Sequence, residues 1–463
     1  MKKLISFIAV VLSSIICFSM FACDCGNGDR DGLIVTISDS DEDIEIQIAL
    51  QDAFKDYMKG KGQNVKVTYN TYTSSSYEQD LLSLQSGNKL GDVIQTSDRF
   101  ASLMAYKKIF EPLDDIISGD SSFNLSDYDN EIIDTARAYE NKVYYMPRSY
   151  DQVVIFINTD FFNAIGVDYP KPDYNAEDPW GWWTWDECEE LCDKIKLALV
   201  STFGPDEAEY YYPMAANLFW NPVNNALIKS FGGKTVDVDD ATISTGFNTA
   251  DEKYAETLKA VEYMRKLAVK GWTSSTNDER FLASRGSNKC TGMWFTTRPN
   301  VLKCLNNDIN LAFAPVPKIT ETQTGKTENT TYVGYGSAGY ALSALSSQKT
   351  LAWEFVKFCA SEAGQKIISD NGASVPTLNS LKNTSASWVN SVKDKNGSVI
   401  DQNAFLYNGN TRTLSTYARG VKAEEEYKIY ESVQSKIISG ITKDPAVTLC
   451  SDIYSTIKDY LKK

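Results

Sequence analysis

Apolar periodicity that switches from strand to helix and back is the feature that most restricts what this chain can fold into. Leu33 to Ile37 is a β-branched run, and Ser38 to Asp41 then offers helix N-caps. Ile46, Leu50, Phe54 and Tyr57 follow at helical spacing, and alternation returns over Val65 to Tyr69. The same rhythm continues, with a helix expected over Tyr77 to Gln85, a short buried strand over 91–95, and Asp98 placed to cap a helix through Tyr106. Strands and helices that alternate in this way bury their apolar faces on one another, so an α/β fold with a parallel, doubly wound sheet is expected. Amphipathic helices are expected over 184–198, where Thr184 and Glu187 form a capping box, and over 251–270 and 350–359. The polar stretches 320–330 and 393–402 read as surface loops, and no internal repeat is present.

Length and composition narrow the function. A chain of 463 residues exceeds the roughly 250 to 300 at which a single core stops growing, so two domains or one bilobed unit are expected. There is no histidine, which removes Ser-His-Asp and Cys-His nucleophile systems together with His-containing zinc sites. A formal charge of −15 argues against nucleic acid and anionic membrane surfaces, both of which need clustered Lys and Arg. Adjacent acids such as Asp114-Asp115 and Glu424-Glu425-Glu426 read as solvated faces of turns and helices rather than as a glycosidase pair.

Residues 1–22 form an export signal: Lys2 and Lys3, an apolar run from Leu4 toward Phe21, and Ala22 ahead of Cys23. Ser13, Ser14 and Ser19 interrupt the run, which is therefore too short to span a bilayer. Its end, Met20-Phe21-Ala22-Cys23, resembles the lipobox of bacterial lipoproteins, which implies that Cys23 carries the lipid that tethers the protein outside the cell membrane. Residues 23–32 are polar and glycine-rich, as a flexible tether requires. Of nine cysteines, Cys17 leaves with the signal and Cys23 takes lipid, so an odd number remains and no complete disulfide framework is possible. Cys188 and Cys192 stand at i, i+4 with no second pair or histidine to complete a metal site, and are read as buried thiols.

Four segments, in order, resemble the extracellular solute-binding proteins of ABC importers, the family that includes maltodextrin-binding proteins. They are Gly91 to Ile117; Val143 to Gly166 followed by Thr184-Trp185-Asp186-Glu187; Cys290-Thr291-Gly292-Met293-Trp294 with Ala312 to Pro317; and Ser337 to Ser361 with Gly372 to Pro376. The resemblance implies a periplasmic-binding-protein-like fold, with two α/β lobes joined by crossing strands and a ligand held in the cleft between them. Lobe one would comprise 33–148 plus 339–402 and lobe two 149–338 plus 403–463, with crossings near Ser149, Gly336 and Asn403. It further implies a monomer without cofactor or covalent chemistry, which captures a carbohydrate and delivers it to an ABC transporter permease. Two alternatives stay open, a receptor for ferric ion or another small solute, and a secreted glycan-active enzyme. Tyr144-Tyr145 and Tyr210-Tyr211-Tyr212 resemble the paired tyrosines of ferric-binding relatives, although such a site needs distant tyrosines to converge on one metal.

Gly334-Tyr335-Gly336-Ser337-Ala338-Gly339 spells the dinucleotide fingerprint, but a strand rather than a helix is expected after it, and position 359 is a cysteine where an acid is required. The glycines are read instead as a hinge crossing whose unusual backbone angles they permit. Tryptophans are the natural sugar contacts, since pyranose C–H faces stack on aromatic rings. Trp294 is the first candidate, because the resembling proteins carry a sugar-facing aromatic there, and Trp220 is the second. Trp185, Trp353 and Trp388 are assigned to packing, while Trp180, Trp182 and Trp183 suit either role. Polar contacts are expected from loops at the carboxyl ends of strands, which points to Ser40, Asp41, Asp98, Tyr150 and Asp151, with Tyr335 at the crossing. Ser40, Asp41 and Asp98 serve equally well as helix caps. Arg298 is a further candidate for sugar hydroxyls or an acidic ligand.

Overall fold

The computed structural model describes residues 32–39, 41–74, 76–238, 243–274, 279–282, 291–414 and 423–461. Residues 1–31, which hold the expected export signal, Cys23 and most of the expected tether, together with Ser40 and the side chain of Asp41, lie outside the described residues. Three parallel strands open the fold, β1 (Leu33–Ser38), β2 (Val67–Tyr72) and β3 (Val93–Ser97), connected by helices α1 (Asp41–Gly60) and α2 (Tyr77–Ser86). Helix α3 (Asp98–Tyr106) leaves the end of β3 without a loop, and α4 (Asn130–Ala136) precedes β4 (Met146–Gln152) and β5 (Val154–Asn158). The middle of the chain supplies α5 (Trp185–Phe203), β6 (Tyr212–Ala215), α6 (Asn221–Ser230), the short ribbon of β7 (Asp237–Val238) and β8 (Ile243–Ser244), and α7 (Tyr254–Val269). There follow β9 (Thr291–Thr296), β10 (Leu311–Pro315), β11 (Tyr332–Leu342), α8 (Lys349–Ala360), β12 (Thr411–Leu414), α9 (Ala423–Gly440) and α10 (Ala446–Ile457).

Two sheets organise these elements into lobes. The first has the order β12-β11-β3-β1-β2, with β4 also paired to β11. Its first three strands are parallel as the sequence predicts, but β11 runs antiparallel to β3, so the sheet is mixed. Phe54, Leu81, Ile94, Met104 and Phe355 pack around it with essentially no exposure. The second sheet, β10-β5-β9-β6, is also mixed, with β5 antiparallel to both neighbours and β6 parallel to β9. Its central strand, Val-Ile-Phe-Ile-Asn, is buried at every position, because both faces are covered. Ile155 and Ile157 pack with Trp185, Met264 and Phe295 beneath helices, while Val154 and Phe156 pack with Trp294, Phe313, Trp388 and Phe405 on the opposite face. Helix α5 begins as its capping signal requires, Thr184 Oγ1 accepting the amide of Glu187 at 3.3 Å. The stretch expected as a plain loop at 320–330 contains a short helix, Glu321–Thr324, closed by a capping box of Thr320 and Gln323.

The lobes are joined by strands that change partners along their length. Gln152 of β4 pairs with Tyr335, whereas Val154 of β5 pairs with Thr296, so Val153 alone separates the two sheets on the chain. Strand β11 pairs with β3 through Ala338–Leu342 and with β12 through Tyr332–Tyr335. The Gly-x-Gly-x-x-Gly sequence thus lies inside a strand, as the rejection of a nucleotide site requires. The glycines are needed for a different reason from the one expected, since none of the three has a left-handed φ. They admit close neighbours instead: a Cβ on Gly334 would lie 2.1 Å from the Pro222 carbonyl oxygen, one on Gly336 2.9 Å from Asp98 Oδ1, and one on Gly339 2.0 Å from the Met146 carbonyl oxygen. Gly339→Ala should therefore lower unfolding stability by at least about 2 kcal/mol in urea titrations, because backbone must move to relieve the overlap. Gly119→Ala, whose Cβ would meet nothing within 4 Å, should change it by less than about 0.5 kcal/mol.

Candidate functional site

A cavity of about 370 Å³ opens where the end of β3, the crossing strands, the start of α6 and one face of α9 meet. Lobe one contributes Ser97, Asp98 and Arg99 at the carboxyl end of β3, the position at which open α/β sheets present ligand contacts. Asp151, Val153 and the stretch Gly334–Ala338 form the floor from the crossings, and Trp220 and Asn221 stand at the start of α6. Of the residues singled out in the sequence, the cavity brings together Asp98, Asp151, Trp220 and Tyr335.

Local structure sets each of these in place. Ser97, not Asp98, is the N-cap of α3, because its backbone is still extended at φ −136° and ψ 168°. Asp98 is the first helical residue, where a carboxylate is favoured by the helix dipole. Its Oδ1 accepts the Ser337 amide at 2.9 Å, which locks the acid against β11. Asp151 Oδ2 accepts the Ser374 hydroxyl at 3.1 Å. Trp220 is the N-cap of α6, with extended backbone, and Pro222 follows within the first turn, so the half-buried indole is held at the cavity wall by a helix start that cannot unwind cheaply. Tyr335 lines the cavity but is buried, its hydroxyl donating to the Glu131 carbonyl at 3.3 Å and its ring 5.7 Å from the Arg412 guanidinium.

Helix α9 supplies a wall that the sequence reading missed. Tyr427, Tyr430, Glu431 and Gln434 all line the cavity. Their i, i+3, i+4, i+7 spacing places them on one helix face, while Ile429, Val433 and Ile437 bury another in the lobe-two core. That polar and aromatic stripe was the available signal, and the adjacent run of glutamates obscured it.

The remaining candidates lie elsewhere. Tyr150 is buried, its ring covered by Lys382 at 4.8 Å and Arg412 at 5.4 Å. Both cations also bind Asp129, the N-cap of α4. Burial pushes the Asp129 carboxyl up, but Lys382 and Arg412 outweigh it and hold the group below the ordinary carboxylate range. Burial lowers Lys382 in the same knot. Trp294 is 1% exposed and packs against Phe281 and Phe156 at ring distances of 5.4 and 5.9 Å. Strand alternation turns it away from the cavity and into the core between β9 and the 375–405 stretch. Arg298 is fully buried and donates to Gln402 Oε1 at 2.9 Å, the Ser374 carbonyl at 2.7 Å and the Ser369 carbonyl at 2.9 Å, with its guanidinium 4.7 Å from the Trp388 ring.

Trp185 stacks on Phe295, and Trp353 and Trp388 are core residues as assigned; Trp183 donates to the Pro315 carbonyl, while Trp182 is exposed. Tyr145 bonds Thr135 and Ser337 in lobe one, whereas Tyr211 stacks on Phe203 in lobe two, so the tyrosine groups do not converge. Cys188 and Cys192 are buried free thiols, and burial with their mutual contact pushes the Cys192 thiol well up. Trp294→Ala should cost about 3 to 5 kcal/mol of unfolding stability by leaving a core cavity. Arg298→Ala should cost about 3 kcal/mol or more by orphaning buried acceptors. Trp220→Ala should cost less, about 1 to 2 kcal/mol in the same urea titrations, since its half-buried indole packs on the lobe-two core only in part and also borders the cavity.

Comparisons with known proteins were consistent with this geometry. The sequence profile of the bacterial extracellular solute-binding proteins matches residues 43–366. No curated protein matches the chain by sequence. Among solved structures, the chain is similar to the ABC substrate-binding protein Lmo0181 from Listeria monocytogenes in complex with cycloalternan, with 16% identity, a TM-score of 0.69 and coverage of 94% of this chain and 100% of that one. It is similar to the GacH receptor of Streptomyces glaucescens, solved unliganded and with acarbose, at 16% identity and a TM-score of 0.67 over 94% and 100% of the two chains. UgpB from Mycobacterium tuberculosis in complex with glycerophosphocholine aligns at 15% identity with a TM-score of 0.67 over 94% and 99%.

Proposed function

Because the chain belongs to the bacterial extracellular solute-binding protein family, we propose that it captures a carbohydrate, an oligosaccharide, in the cleft and delivers it to an ABC transporter permease. The observation that carries this reading is the pairing of Trp220 from lobe two with Asp98 from lobe one across a single cavity. An indole offers the apolar face on which a sugar ring stacks, and a fixed carboxylate accepts from its hydroxyls. Asp151 and Tyr335 extend the same combination along the crossing strands. Proteins of similar fold were solved with cycloalternan and acarbose, which supports a glycan as cargo. Both walls of the cleft come from one chain, so a monomer suffices. Preferential binding to the form with the lobes drawn together would then present the surface that the permease reads.

Thermal unfolding against a panel of neutral mono- and oligosaccharides tests the proposal. A sugar at about 100 times its dissociation constant adds about 2.7 kcal/mol, so one glycan class should raise the Tm, be recovered unchanged, and lose its effect on Trp220→Ala. A panel without response, or a glycan consumed during incubation, would sink the receptor reading.

The lipobox sequence supports a tether at Cys23, with residues 1–22 removed. Cells producing Cys23→Ala should release the protein from the membrane fraction into the soluble extracytoplasmic fraction, and labelled palmitate should enter the unsubstituted protein but not the variant. Equal membrane retention of both would refute lipidation.

A further inference from the structure

Arg99 and Tyr427 lie 328 positions apart in sequence and meet at the cavity, one from each lobe. Arg99 is the second residue of α3, whose Ala101, Met104 and Ala105 are anchored in the lobe-one core. Tyr427 is on α9, anchored through Ile429 and Val433 in the lobe-two core. Arg99 Nη2 donates to the Tyr427 hydroxyl at 2.7 Å, and the guanidinium carbon lies 4.9 Å from the Tyr427 ring centroid. Glu431 stands one helical turn along α9 on the same cavity-lining face. The hydroxyl accepts this charge-assisted hydrogen bond while the guanidinium lies against the ring, so cation and phenol are joined directly across the cleft.

We infer that the Arg99–Tyr427 contact is a latch that holds the lobes together over the cavity without help from ligand, and thereby sets how long a bound solute stays. The inference rests on the reading of the cavity as the solute site. Three features carry it. The contact ties two helices that are each packed into a separate core. Its donor is the only cation among the described residues lining the cavity, so the one positive charge at the site is already engaged in the latch. A contact formed before the ligand arrives also biases the open and closed populations, and a ligand that favours the closed form then has less of that equilibrium to shift.

Two measurements on Arg99→Ala, Arg99→Lys and Tyr427→Phe test the latch: small-angle scattering of the unliganded protein, and solute dissociation followed by stopped-flow tryptophan fluorescence. Arg99→Ala should increase the radius of gyration without ligand and speed dissociation about five- to tenfold, with association changed less than about twofold. Tyr427→Phe keeps the ring face and Arg99→Lys keeps the charge, so each should fall between Arg99→Ala and the unsubstituted protein, an order that loss of local packing would not produce. Unchanged scattering for Arg99→Ala would overturn the latch, as would expansion without faster dissociation. If no glycan binds at all, expansion of Arg99→Ala still supports a latch across the cleft, and its failure is then separate from failure of the carbohydrate reading.

Discussion

The close approach of other backbone to β11 is the constraint on which the rest of the molecule depends. The strand passes α3 and β4 in lobe one and α6 in lobe two, and at Gly336, Gly339 and Gly334 the space for a Cβ is already filled by Asp98, Met146 and Pro222. Where Gly336 passes, the Asp98 carboxylate comes close enough to accept the next amide on the strand. A side chain on any of these glycines would push apart two elements that the cleft needs together. The glycines are thus steric rather than conformational devices, and they set the floor of the cavity.

Around that floor, buried charge holds the covering segments in place. Arg298 reaches three partners in the 369–402 region, which fastens this stretch to the loop that follows β9. Asp129 gathers Lys382 and Arg412 and so ties α4 to β12. Each ion is compensated by hydrogen bonds or an opposite charge, as burial demands. The side chains left facing the cavity are of a different kind. Trp220, Tyr335, Asp98 and Asp151 combine a flat apolar surface with fixed acceptors, which suits a solute that is apolar on its ring faces and polar on its rim.

The architecture also divides labour between rigid and movable parts. Each lobe has a core of its own, in which strands such as β5 are buried on both faces. The backbone passes between the two sheets at Val153, between β4 and β5, and a third buried cluster of Tyr150, Tyr335, Val375, Phe156 and Trp294 packs beside that crossing. Few backbone angles need to change for such lobes to rotate, so relative motion is the least costly response to a ligand held between them. The contact between Arg99 and Tyr427 lies across that motion, between helices anchored in the two cores.

Local pattern was enough for much of this. The strand and helix alternation of the first hundred residues, the cap at Thr184, the order of segments resembling the solute-binding family and the rejection of a nucleotide site were all legible, because each depends on neighbours in sequence. So were Asp98 and Asp151, which adjoin strand ends. Trp294 and Arg298 were equally conspicuous residues, yet they serve packing. Which face of β9 looks onto the cavity depends on what covers the other face, and that cover comes from residues about a hundred positions later. Helix α9 reaches the cavity for the same reason, its polar stripe being meaningful only once the lobe-two core has turned it inward. The sequence by itself determined the elements and the family; the tertiary structure decided which side chains face the cavity, because burial is a property of distant segments brought together rather than of any local run.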